Sequence, residues 1–130
     1  MKNNRILVVD NEIVTLTMLK STMSKAGYEV IAAASGTEAV NLAKEHLPFV
    51  IILDIMMPGM DGGDVADILK SDRKTREIPI IFLSSLISPR EERFSTQKGG
   101  ISLMGKPYNA DRLLNEVRKH FYGGNPPPSV

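Results

Sequence analysis

Four short stretches of the chain each end an apolar run with residues that could do chemistry. "RILVV" leads into Asp10, Asn11 and Glu12, and "FVIIL" leads into Asp54. "IPIIFL" leads into Ser84 and Ser85, and "ISLM" into Gly105, Lys106 and Pro107. Taken singly, each has an ordinary structural reading. Asp accepts hydrogen bonds from nearby backbone N–H groups at turns and helix caps, Ser is a frequent loop residue, and Lys is a solvated charge. Brought to one rim, the same residues make a chemical site. Carboxylates set close together repel, and a hard cation that takes oxygen ligands, such as Mg²⁺, relieves the repulsion. A carboxylate can also attack phosphorus to form an acyl phosphate, with a cation, a Lys and a hydroxyl donor dividing the charge of the phosphoryl oxygens. In that arrangement Asp54 is the nucleophile, which explains why the water-excluding run "IILD" finishes on an acid.

The elements that must position these residues can be read from hydropathy. Five runs rich in Val, Ile and Leu recur: "RILVV", "YEVIAAA", "FVIILD", "IPIIFLSS" and "ISLM". Continuous rather than alternating apolarity predicts strands covered on both faces. Between them, helical spacing joins Ile13, Leu16, Leu19 and Met23, then Ala39, Leu42, Ala43 and Leu47, then Val65, Ile68 and Leu69. The last stripe, Ala110, Leu113, Leu114, Val117 and Phe121, is the clearest, with Asn109 placed to cap it. The segment "SPREERFSTQKGG" has only Phe94 as a large apolar residue and predicts a short, loosely held fourth helix. Strands alternating with helices imply right-handed βαβ units, and hence an α/β, doubly wound five-stranded parallel sheet with five helices. Ligands of such sheets bind beyond the carboxyl ends of the strands, where strand order reverses.

Composition narrows the function. A chain of 130 residues is long enough to bury one core without staples, and the absence of Cys excludes disulfides and thiolate metal sites. No apolar run approaches the roughly 18 residues that span a bilayer, and the N-terminus lacks a signal-peptide pattern, so a cytoplasmic protein without membrane contact is expected. Sixteen Lys and Arg against fifteen Asp and Glu leave a formal charge of +1, which gives no basic excess for direct nucleic-acid binding. The tail "YGGNPPPSV" cannot continue a helix and reads, over residues 123–130, as a flexible end or the start of a linker after a domain at 1–122.

The motifs "ILVVDNE", "IILDIMMPGMDG", "IPIIFLSS" and "GKPYNADRLL" stand in this order at ordinary intervals. Through them the chain resembles a receiver domain of the response-regulator family, over residues 5 to about 121. The resemblance implies a flavodoxin-like (βα)5 fold and a phosphoacceptor role in two-component signalling. It implies that Asp54 takes a phosphoryl group from the phosphohistidine of a sensor histidine kinase or a histidine phosphotransfer protein. Asp10, Asp54, the backbone carbonyl of Met56 and, at the adjacent position, Asn11 are then the Mg²⁺ ligands, while Ser84 and Lys106 contact the phosphoryl oxygens. Pro58 and Gly59 shape the loop after the nucleophile, and Pro107 follows a peptide bond that is often cis. Output is expected through the surface of the fourth helix, fifth strand and fifth helix, toward a downstream protein partner, a fused effector domain or a second copy in a homodimer. Surface residues of the first helix, such as Thr15, Met18 and Thr22, are expected to choose the kinase. Beyond its own phosphorylation and slow dephosphorylation, no enzymatic activity is expected.

Three departures from the family pattern bear on mechanism. Asn11 replaces the second of two consecutive acids, which removes a charge from the metal site; Glu12 reads as a residue of the helix cap. Leu103 stands where the family usually has a switch aromatic. Met56 and Leu86 are apolar where many receivers carry polar side chains that orient the hydrolytic water. A binding module of receiver shape that signals without phosphorylation is the competing reading. A phosphate-ester hydrolase would want an acid where Met56 stands.

Overall fold

The structure, a computed structural model, describes residues 3–85 and 101–121. Five parallel strands, β1 (Arg5–Val9), β2 (Glu29–Ala33), β3 (Val50–Asp54), β4 (Ile80–Ser84) and β5 (Ile101–Gly105), form one sheet in the order β2-β1-β3-β4-β5. Among the described residues there are four helices, α1 (Ile13–Lys25), α2 (Gly36–His46), α3 (Gly62–Ser71) and α4 (Ala110–Phe121). This is the expected flavodoxin-like doubly wound sheet. The expected fourth helix around Phe94, Leu86 and the tail at 123–130 lie outside the described residues, so α4 is the fifth expected helix.

Alternating side chains of the central strands enter two cores. Leu7, Val9, Ile51, Leu53 and Ile80 point toward Ala39 and Ala43 of α2 and Val65 and Leu69 of α3. Ile6, Val8, Val50, Ile52, Ile81 and Leu83 point toward Leu16, Leu19 and Met23 of α1 and Leu113 and Val117 of α4. All five β3 side chains are buried, as continuous apolarity predicts for a strand between two helix layers. Burying each of these large aliphatic groups is worth about 1.5–3 kcal/mol relative to leaving it in water.

The apolar pattern over-reached at the margins. "YEVIAAA" forms the edge strand β2, and Glu29 to Ala32 keep partial exposure because only β1 flanks them. Ile13 heads the predicted α1 stripe yet is 68% exposed, since it sits on the first turn above the sheet. Leu47 terminates α2 in a left-handed conformation, φ 47°, and is exposed where its spacing predicted burial. Ala110, first of the last stripe, is likewise exposed.

Register sets the rim. Strand order reverses between β1 and its neighbours β2 and β3, and Asp10 and Asp54 stand on either side of the β1/β3 gap. Asp54, the last residue of β3, is paired with Leu83, and Ser84, the last residue of β4, is paired with Gly105, the residue before Lys106.

Candidate functional site

The site grows from strand ends that the ladder holds. Asp10 follows β1, where its N–H donates to the Ala33 carbonyl at 3.2 Å. Its carboxylate is fully buried: Oδ1 accepts the Glu12 N–H at 2.9 Å and Oδ2 accepts Lys106 Nζ at 2.8 Å. Asp54 is 3% exposed; its Oδ1 accepts the Met56 N–H at 3.3 Å and lies 3.5 Å from Lys106 Nζ. Lys106 is anchored at its backbone, whose N–H donates to the Ser84 carbonyl at 2.9 Å, and Ser84 itself is buried. The Lys106–Pro107 peptide is cis, as the motif implies. Asp10, Asp54, Ser84 and Lys106 are therefore brought to one rim.

The loop after Asp54 needs two glycines. Gly59 has φ +73°, a conformation that costs an L side chain but not glycine. Gly62 opens α3 against the nucleophile's own backbone; a Cβ there would stand 2.6 Å from the Asp54 carbonyl oxygen. Asp61 and Asp64 close a reciprocal capping box on that helix, with Asp64 N–H donating to Asp61 Oδ1 at 2.9 Å. Gly62 escaped the sequence reading, although the doubled glycine in "MDGGD" is its signal.

Charge at the rim is unbalanced. Burial, and then the neighbouring charge of Asp10, raise the pKa of Asp54 above the ordinary 3.8; Lys106 and the Met56 N–H offset this only in part. Burial alone would lower the pKa of Lys106, but its hydrogen bond to Asp10 and the charges of Asp10, Asp54 and Glu12 raise it above 10.5. Among the described residues one ammonium thus serves three carboxylates, and its charge does not offset the burial of Asp54.

Glu12 occupies the N-cap position of α1, as expected, and its carbonyl accepts the Leu16 N–H at 2.9 Å. Its side chain makes no capping bond. Instead the carboxylate lies 3.6 Å from Lys106 Nζ, a contact that helix-start statistics do not foresee. Asn11 is exposed, and the Met56 side chain is 53% exposed at the rim. Leu103 is half-buried on β5, in register with Phe82 of β4.

The donors suit Mg²⁺ chemically. Two buried carboxylates converge, one with a raised pKa that added positive charge would relieve. Among the described residues no three Asp, Glu or His side chains assemble an ion cage. Mg²⁺ ordinarily takes one or two carboxylates together with waters and phosphate oxygens, so an incomplete protein shell suits it.

Comparison with known proteins gives the family. A family model described as the response regulator receiver domain matches residues 6–118. The polar-differentiation response regulator DivK of Brucella ovis is 31% identical over 121 residues, 93% of this chain and 98% of the relative. The response regulator PleD of Caulobacter vibrioides is 36% identical over 114 residues, 88% of this chain and 25% of PleD. The solved structure of the chemotaxis protein CheY4 of Vibrio cholerae superposes with a TM-score of 0.76 at 30% identity, covering 90% of this chain and 98% of that one. Fold, motif order and these likenesses agree: the chain belongs to the response regulator receiver domain family of two-component signalling.

Proposed function

We propose that this receiver is a phosphoacceptor that takes a phosphoryl group onto Asp54 from the phosphohistidine of a sensor histidine kinase or a histidine phosphotransfer protein. The observation that carries the reading is the convergence of Asp10 and Asp54, both buried, on the Lys106 ammonium beside buried Ser84. A carboxylate oxygen of Asp54 attacks phosphorus; the new P–O bond forms as the P–N bond to imidazole breaks, and the electron pair leaves with the ring nitrogen. Lys106 supplies positive charge to the phosphoryl oxygens, and the Ser84 hydroxyl supplies a hydrogen bond. Mg²⁺, held by Asp10, Asp54, the Met56 carbonyl and the Asn11 position, would neutralise phosphoryl charge when bound. The buried rim orients the nucleophile, and no substrate other than the chain itself is turned over.

Signalling then follows from altered contacts on the surface that the family resemblance implies, that of the expected fourth helix, the fifth strand and the fifth helix, toward a downstream protein, a fused effector domain or a second copy. Asn11 favours a second reading, a binding module that is not phosphorylated, because it leaves the metal site one charge short. Incubation with a small phosphodonor and Mg²⁺, followed by intact mass measurement, decides between them. A stable gain of one phosphoryl group supports the proposal, no gain supports the binding module, and repeated turnover of the donor without retained phosphate overturns both.

A further inference from the structure

From the Thr22–Tyr108 contact we infer that these two residues, which take no part in the phosphoryl chemistry, form a strut from α1 to the Lys106 loop and are positioning residues for Lys106. The inference rests on the phosphoacceptor reading above. Thr22 Oγ1 lies 2.8 Å from the Met18 carbonyl and 3.1 Å from the Tyr108 hydroxyl. A threonine hydroxyl has one hydrogen, and the carbonyl can only accept, so that hydrogen goes to Met18 and Tyr108 is the donor to Thr22. The Tyr108 ring also packs, half-buried, on the core shared by α1 and α4.

Tyr108 is two residues beyond Lys106, and Pro107 between them has a ring-fixed φ. Two residues span at most about 7 Å, so a shift of the tyrosine cannot be absorbed over a long loop before it reaches the lysine. At its other end α1 begins just after Asp10, whose carboxylate binds both the Glu12 N–H and Lys106 Nζ. The helix is therefore tied to Lys106 twice, once through Asp10 and once through Tyr108. Thr22 has already spent its hydrogen inside the chain, so a protein docking on α1 and displacing Thr22 would be felt at Lys106. Residue 22 thereby changes the reactivity of the site as well as the surface that a partner meets.

The test compares Thr22→Val, which keeps the shape and loses the hydroxyl, with Thr22→Ser, which keeps it, and with Tyr108→Phe and the Thr22→Val/Tyr108→Phe pair. Asp54 labelling by acetyl phosphate with Mg²⁺ should slow about 3- to 10-fold in Thr22→Val and in Tyr108→Phe, the effect of one neutral hydrogen bond. The double variant should be no slower than either single variant, and Thr22→Ser should label at close to the wild-type rate. Unchanged rates, or additive losses in the double variant, would overturn the strut. Backbone amide shifts supply a readout that needs no phosphorylation: Thr22→Val should move the Lys106 and Glu12 amides, and Thr22→Ser should not. Shifts confined to residues around Thr22 and Tyr108 would also overturn it. A wild-type chain that takes no label sinks the phosphoacceptor reading, and the amide shifts still decide the strut.

Discussion

The two ends of the sheet are built from the same five strands and are opposites. At the amino end, Tyr28, Phe49 and Phe121 gather with ring centroids 5.1–5.8 Å apart, two of the three pairs edge-to-face. These aromatic contacts add stability to their buried area and ask for no ligand. Nearby Arg5 and Glu29 pair at 3.1 Å, but both are well exposed, so water and salt screen the pair. At the carboxyl end, Asp10 and Asp54 are buried around one ammonium, an arrangement that raises the energy of the ionised Asp54. One end holds the fold together; the other stores electrostatic free energy that positive charge would release. The same alternating side chains build the core beneath both, so the difference lies in the residues just beyond each strand.

The largest effect should come from removing the stored charge. Asp54→Asn should abolish phosphoryl labelling, read by intact mass. In chelator it should also raise the midpoint of thermal unfolding by about 3 °C or more, because the amide keeps the shape without the buried charge. Residual labelling would mean that another residue accepts phosphate; a lower midpoint would mean that the Lys106 contact outweighs the burial of Asp54.

At the opposite end, Phe121→Ala should cost about 2–3 kcal/mol in urea unfolding, below the usual cost of a fully buried Phe because this ring is half-buried. Labelling of Asp54 in the folded variant should stay within about twofold of wild type, since sites this far apart are expected to act independently. A folded variant that labels much more slowly would break the division between the ends.

Acid titration sharpens the comparison further. The folded state binds the proton of Asp54 more tightly than the unfolded chain does, so falling pH favours the folded state between the raised pKa and the ordinary 3.8. The stability advantage of Asp54→Asn over wild type, measured in chelator, should therefore be full at neutral pH and shrink as pH falls through the raised pKa. An advantage that is constant, or that grows toward acid, would reverse the assigned sign. Lys106 behaves as a group with a raised pKa: its contribution is complete below 10.5 and is lost as pH rises through the higher folded value.

The smallest effect concerns the metal. Asn11→Asp should raise Mg²⁺ affinity about 3- to 10-fold in direct titration, as an added carboxylate ligand does. Asn11 is exposed, so solvent screening limits the gain. No gain at all would mean that Glu12, rather than residue 11, faces the ion.

Much of this molecule was decided along the chain. The runs before Asp10, Asp54, Ser84 and Lys106 became strand ends on one rim because parallel βαβ units leave every strand pointing the same way. Continuous apolar runs for the strands and a 3.6-residue period for the helices therefore implied where those four residues would meet. Asn109 caps α4, its side-chain oxygen accepting the Arg112 N–H at 3.1 Å, because capping is local chemistry. Only the tertiary structure decided that β2 lies at an edge, that Ile13 and Leu47 stay exposed, and that Leu103 is half-buried beside Phe82, since burial depends on which neighbours cover a residue. It also decided that Glu12 turns to Lys106 and that Thr22 meets Tyr108, 86 residues away. Hydropathy records which side chains avoid water; a hydrogen bond or ion pair between polar groups depends on distances that fall into place only when the helices have docked.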